Sequence, residues 1–354
     1  MKTYFLSVVF LGGLLAVVGQ ADAKAEPARV GVILPLTGDI AVIGGACKNG
    51  MELAYAELDP EERAKFELVF EDDQGQPKNT ISAFQRLAAA GPLHAVVTAS
   101  SGTSKSLVPL TERAKVPLIA IASDPAVSRD KEYAVNFWVT PETEVAKLLG
   151  EVKAKGYRSV AIVTGVHDGT LSFKSAFHGQ KPDSLAVVFD EEYPIDMRDF
   201  RTAITSMRAT TFDAVFLNLF LGQIGVFARQ ARELGVTQPL FAVELFEDAT
   251  EVENANGGLL GQWYVQADEG SGAFFEKYKA RYPEASTFGA GNGYDAVMLI
   301  ASALREQRRL NDYLHTLKEF SGALGTYSAT GDNRFTLPAT IKVVTEDGFE
   351  KQSS

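Results

Sequence analysis

The sequence predicts an α/β fold of two doubly wound, parallel-sheet lobes, and three observations carry that prediction. Short apolar and β-branched runs of about four to six residues alternate with helical patterns, as parallel strands covered on both faces require. The alternation falls into two series, divided near Trp138-Val139-Thr140-Pro141, where an extended run meets a proline ahead of a new helix. The roughly 330 residues beyond the N-terminal leader exceed what one hydrophobic core usually holds.

In the first series, strands are expected over 29–34, 66–71, 95–98 and 117–121, with helices over 48–58, 77–90 and 104–114. In the second, helices over 144–155, 171–178, 200–208 and 224–234 alternate with strands over 159–163, 186–189, 214–217 and 239–242. Beyond Trp263-Tyr264-Val265, helices over 271–281 and 292–306 return to the first lobe, and 339–344 forms a last strand. The resulting organisation is a leader over 1–23, a first lobe of 24–140 plus 270–335, and a second lobe of 141–269 plus 336–354.

The leader reads as a secretory signal peptide. Lys2 gives a cationic start, Tyr4 to Val18 an apolar core, and Ala21-Asp22-Ala23 a small-x-small triplet with cleavage expected after Ala23. The apolar run is shorter than the roughly 20 residues a membrane span needs, and no cysteine follows it to take a lipid. The expectation is a periplasmic protein with no stable membrane insertion after cleavage.

The formal net charge is −11, which disfavours a nucleic-acid partner, since that needs a basic stripe. The single cysteine, Cys47, cannot form an internal disulfide and reads as a buried small apolar residue. Catalytic patterns are missing. The four histidines, His94, His167, His178 and His315, fall at no metal-ligand spacing, and no nucleophile elbow, Walker loop or dinucleotide turn follows a strand. The pairs Asp72-Asp73 and Glu247-Asp248 lie on expected loops and read as solvated charge. The expectation is a protein that performs no chemistry, needs no cofactor and holds no metal.

Ligands of open parallel sheets sit beyond the carboxyl ends of the strands, which nominates the loops there. Ser100-Ser101-Gly102-Thr103-Ser104 follows a strand and opens a helix, so its hydroxyls and free N–H groups either receive an anionic group or cap the helix. Ser123-Asp124-Pro125 ends the next strand, where Asp124 either caps a turn or faces the cleft. In the second lobe Asn218 is the one polar residue of Phe216-Leu217-Asn218-Leu219-Phe220-Leu221, and Glu244 precedes Leu245-Phe246. Phe220, Leu221 and Phe246 lie past their strands and suggest an apolar pocket.

Taken in order and spacing, these segments resemble the type I periplasmic binding proteins of ABC importers, in the leucine/isoleucine/valine-binding branch. The carriers are Gly31-Val32-Ile33-Leu34-Pro35-Leu36-Thr37-Gly38, Gly44, Asn49-Gly50, Glu71-Asp72-Asp73-Gln74-Gly75-Gln76-Pro77, Ser100 to Thr103, Val116-Pro117-Leu118-Ile119, Arg229 to Gly235 and Gly293-Tyr294-Asp295-Ala296. The resemblance implies lobes joined by three crossovers, a ligand clamped by hinge closure and delivery to a membrane permease. It implies that Ser100, Ser101 and Thr103 receive a ligand carboxylate and that Glu244 holds an ammonium. The chain departs from the pattern at Ile43, where an aromatic is frequent, at Ser123-Asp124, and at His167-Asp168, where a tyrosine and glycine are frequent. The expected ligand contacts are therefore Ile43, Ser100, Ser101, Thr103, Ser123, Asp124, His167, Asp168, Asn218, Phe220 and Glu244. The expected ligand is amino-acid-like or more hydrophobic; the alternatives are an aromatic or lipid-like ligand, or a sensor subunit presenting to a membrane receptor. Trp138 and Trp263, near the expected crossovers, are the natural fluorescence reporters.

Overall fold

A computed structural model describes Met1 and residues 26–268 and 272–352. The leader expected over 1–23 lies outside the described residues apart from Met1. The first sheet contains β1 (Ala28–Leu34), β2 (Phe66–Asp72), β3 (Ala95–Ala99), β4 (Leu118–Ile121) and β5 (Ala134–Asn136) in the order β2-β1-β3-β4-β5, all parallel. Helices α1 (Ala41–Glu57), α2 (Pro60–Arg63), α3 (Pro77–Ala89) and α4 (Ser101–Ala114) lie between its strands in sequence. Val96, Val97, Leu118 and Ile119 are fully buried, which is why these strands read as unbroken apolar runs.

The second sheet begins after α5 (Pro141–Ala154) with β6 (Ser159–Gly165), α6 (Asp168–Gln180), β7 (Ala186–Tyr193), α7 (Arg201–Met207) and β8 (Ala214–Asn218). It continues through α8 (Ile224–Glu233), β9 (Leu240–Val243), α9 (Ala249–Asn254) and β10 (Trp263–Ala267). The chain then supplies α10 (Gly272–Arg281), α11 (Ala290–Arg305), α12 (Leu310–His315) and the hairpin β11 (Phe320–Gly322)–β12 (Gly325–Tyr327), whose buried side chains join the core of the first sheet. It finally returns as β13 (Ala339–Thr345) and β14 (Gly348–Lys351). The second sheet's order is β14-β13-β10-β9-β8-β6-β7. Its β6-to-β10 part is parallel, but β13 runs antiparallel to β10, because the last crossover enters the sheet from the cleft end.

The chain thus passes between the sheets three times: from β5 to α5, from β10 to α10, and from β12 to β13. The second and third passages are tied by Asp268 N–H to Pro338 O at 2.7 Å. Each sheet reverses its winding order once, between β1 and β3 and between β6 and β8. Those two switch points, where open α/β sheets take ligands, face each other.

Helix α1 starts seven residues ahead of the expected 48. The reason is packing that the helical periodicity does not carry. A Cβ at Gly50 would sit 2.0 Å from Ala290 O, and one at Gly293 would sit 2.1 Å from Cys47 O, so α1 and α11 touch backbone to backbone. Any side chain at either glycine would force the helices apart. Cys47 is buried between them.

Candidate functional site

A cleft with a cavity of about 70 Å³ lies between the switch points and is lined by residues of both sheets' strand-end loops. One wall begins at the start of α4. Ser100 takes a left-handed φ of 80°, a strained setting for a side chain with a Cβ. The carbonyl of Ser100 accepts Ser104 N–H at 3.1 Å and Ser104 Oγ at 2.6 Å, which locks the turn, while Ser100 and Ser101 line the cleft. The first N–H groups of a helix lack intrahelical acceptors and carry its positive dipole end. This corner is therefore built for a carboxylate or another small anion. Ser123 lines the same wall, and the Ser101 hydroxyl accepts Asp124 N–H at 3.1 Å.

The opposite wall is formed by loops after β6, β8 and β9. His167 caps α6, its Nδ1 accepting Gly169 N–H at 3.1 Å, so in the neutral ring Nε2 carries the proton. Its ring stacks on Phe220 with centroids 4.3 Å apart. Burial is the main influence on His167 and lowers its basicity below that of a free imidazole, against the pull of Asp168 and Asp124. Asn218 Nδ2 donates to Thr170 O at 2.8 Å, leaving its buried Oδ1 without a hydrogen bond. The buried Glu251 carboxylate receives the N–H groups of Gly222 and Gly225, and it thereby fixes the turn that presents Phe220.

Glu244 closes the floor. Its φ of 46° turns the chain left-handed directly after β9, held by Glu244 N–H to Val265 O at 2.7 Å. Its carboxyl accepts the indole N–H of Trp138, a residue of the first crossover, across the cleft. Burial pushes the Glu244 acid up to about 8, against that hydrogen bond. Neighbouring Glu144, on α5, is fully buried with neither carboxyl oxygen hydrogen-bonded; burial first, and the Glu244 charge second, raise it well above the ordinary range.

At the mouth, Lys105 Nζ on α4 reaches Asp124 at 3.1 Å and Asp168 on α6 at 3.2 Å. Burial works against its charge, but the two carboxylates together hold the ammonium above the ordinary lysine value. The Lys105–Asp168 pair and the Trp138–Glu244 bond both bridge the lobes.

Of the residues expected from sequence, Ile43, Ser100, Ser101, Ser123, His167, Asn218, Phe220 and Glu244 line the cleft. Thr103 does not: its hydroxyl is buried and donates to Ala99 O at 2.5 Å, tying the helix to the strand before it. Asp124 and Asp168 are engaged with Lys105, and Asp124 also caps a short turn through Ala126 N–H at 2.8 Å. Phe246 belongs to the core and Leu221 lies off the main cleft, because the left-handed turns at Glu244 and Gly222 redirect the chain past the strand ends. Glu247 is not solvated loop charge: it is buried against Lys342 at 2.6 Å and accepts from Tyr264 and Thr287. Asp73 is likewise buried, bonded to Thr80 at 2.9 Å, and Asp72 holds Leu36 N–H at 2.9 Å and Thr37 Oγ1 at 2.6 Å. Trp138, Phe173 and Phe288 line the cleft without having been nominated as contacts; Trp263 instead stacks on Phe241 inside the second lobe.

Two doubly wound sheets joined by three crossovers and flanking a cleft define a bilobal α/β architecture. The chain belongs to the periplasmic binding protein family, whose model matches residues 27–348. It is 24% identical over 341 residues to the Leu/Ile/Val-binding protein homolog 3 of Brucella melitensis, covering 90% of this chain and 91% of that one. In structure it is similar to a leucine-binding protein from Thermotoga maritima, with a TM-score of 0.85, 20% identity and coverage of 92% and 98%. It is also similar to an ABC-transporter solute-binding protein of Rhodopseudomonas palustris in complex with 3,4-dihydroxybenzoic acid, with a TM-score of 0.78, 22% identity and coverage of 92% and 95%.

Proposed function

We propose that this chain is the substrate-binding protein of an ABC-type importer, that it takes an apolar amino acid between its lobes, and that it passes the ligand unchanged to a membrane permease. The leader over 1–23 sends it to the periplasm and is cleaved after Ala23. The lobes that close are 24–140 plus 270–335 and 141–269 plus 336–354. The observation that carries this reading is the polarity of the cleft: a hydroxyl-lined helix start at Ser100–Ser101 on one side, and the acid of Glu244 with Asn218 Oδ1 on the other. Ile40, Ile43, Leu219 and Leu245 lie between or beside them. The carboxylate of the ligand docks at α4, its ammonium at Glu244, and its side chain against the aliphatic and aromatic wall.

One feature favours a second reading. The His167–Phe220 stack with Trp138, Phe173 and Phe288 suits a flat ring, and an aromatic carboxylate needs no ammonium partner. Titrating the purified protein with leucine, isoleucine, valine, benzoate and 3,4-dihydroxybenzoate, read by Trp138 fluorescence, decides between them. Saturable binding of a branched-chain amino acid supports the first reading. Binding of the benzoates alone replaces it with the second, and silence across the panel rejects both.

A further inference from the structure

The floor of the cleft holds more acid than a binding site of ordinary polarity can ionise. Glu144 is fully buried on the first turn of α5 and neither oxygen accepts a hydrogen bond. Glu244, 7% exposed, accepts from one neutral donor, the Trp138 indole N–H. A carboxylate taken out of water without a cation or several N–H donors is unstable by several kcal/mol and keeps its proton instead. Two such groups near one another cannot both be charged.

The charges packed around them are committed elsewhere. On β13, Lys342 pairs with Glu247 at 2.6 Å, and Tyr264 of β10 donates to the same carboxylate. On α6, Asp168 pairs with Lys105, while Lys174 and His178 pair with Asp190. On α5 itself Glu142 meets Arg334, and Glu151 meets Lys155. The neighbouring cleft histidine, His167, is neutral and uses Nδ1 on backbone.

We propose that ligand capture is proton-linked: Glu244 is protonated in the empty cleft, and the ammonium of an incoming amino acid expels that proton to solvent while Glu144 keeps its own. The O–H bond of Glu244 breaks, the carboxylate stays as the ammonium's counter-ion, and the proton leaves to water, so one positive charge enters as one departs. Glu144 is fully buried and is not one of the residues lining the cleft, so it does not exchange. The cleft then selects by charge: a ligand with an ammonium replaces the proton, whereas a ligand without one meets a neutral acid. This rests on the amino-acid reading above and adds to it the charge state of the site.

The experiment is isothermal titration calorimetry of the full mature protein with leucine and with 4-methylpentanoate, its analogue lacking the ammonium, in buffers of differing ionisation enthalpy. At pH 7 leucine is expected to release close to one proton per molecule bound and 4-methylpentanoate none. Leucine affinity is expected to rise up to about tenfold per pH unit between pH 6.5 and 8 and then level off. Glu144→Gln is expected to bind leucine with the release retained, and Glu244→Gln to lose both the release and the pH dependence. Leucine binding without proton exchange overturns the coupling and leaves the function standing, as does equal release by both ligands. Release lost in Glu144→Gln but kept in Glu244→Gln overturns the assignment to Glu244. No binding of leucine, isoleucine or valine at any pH overturns the amino-acid reading and the coupling with it.

Discussion

Replacing Glu244 by glutamine tests the cleft acid without any ligand. Glutamine keeps an oxygen to accept the Trp138 N–H, so the change removes the ionisable group and little else. In the unfolded chain the acid titrates near its ordinary 4.5, and in the folded chain near 8. The folded state therefore binds more protons between those values, and stability falls as pH rises through them. Each pH unit is worth about 1.4 kcal/mol, so keeping glutamate costs the fold about 3 kcal/mol at pH 7 and about 5 kcal/mol above pH 8. Below pH 4.5 the cost disappears. The Glu244→Gln protein should then melt at the same temperature as the wild type near pH 4.5 and several degrees higher at pH 8. Glu144→Gln shifts the same way, because burial raises that acid too. Thermal unfolding by circular dichroism from pH 4.5 to 9, without ligand, reads the difference. Parallel stability curves for wild type and Glu244→Gln would mean that Glu244 is ionised throughout and that the site is charged when empty.

Three further substitutions test the rest of the site. Ser100→Ala should weaken ligand binding by about 1–3 kcal/mol by leaving a buried polar partner unpaired, and unchanged affinity by calorimetry would remove the α4 corner from the site. Lys105→Met cuts both ion pairs at the cleft mouth; because Lys105 is 38% exposed at its side chain, each pair contributes under about 1 kcal/mol. Stopped-flow should show ligand release a few-fold faster at low salt, with the difference shrinking above about 0.5 M salt as screening takes over; a salt-independent effect would argue against a latch. Lys342→Met strands the buried Glu247 carboxylate and should cost about 3–5 kcal/mol, recovered in the Lys342→Met/Glu247→Leu double variant. A single variant as stable as wild type would show that the pair contributes nothing.

The sequence made the sheets legible because parallel strands buried on both faces write themselves as continuous apolar runs, and the strand-end rule then nominated Ser100, Ser123, His167, Asn218 and Glu244 without a structure. What it hid follows from how each residue is placed. Trp138 follows a strand of three residues, too short to register as a periodic signal, and Phe288 precedes a helix with no strand before it. Glu144 reads in Pro141-Glu142-Thr143-Glu144 as an ordinary first-turn acid complementing the helix dipole. Only the packing of α5 on β9, β10 and β13 reveals that this turn is dry and that its acid feels the charge of Glu244. The same limit explains Phe246. Alternation carried past β9 would aim it at the cleft, but one residue with φ of 46° reverses the chain and sends it into the core. Glu244 can hold that conformation because backbone bonds fix it on both sides, Glu244 N–H to Val265 O and Leu245 N–H to Val243 O at 2.6 Å. The strain that puts the acid on the cleft floor is thus supported by the sheet itself, and this explains how one residue can both end a strand and set the charge of the site.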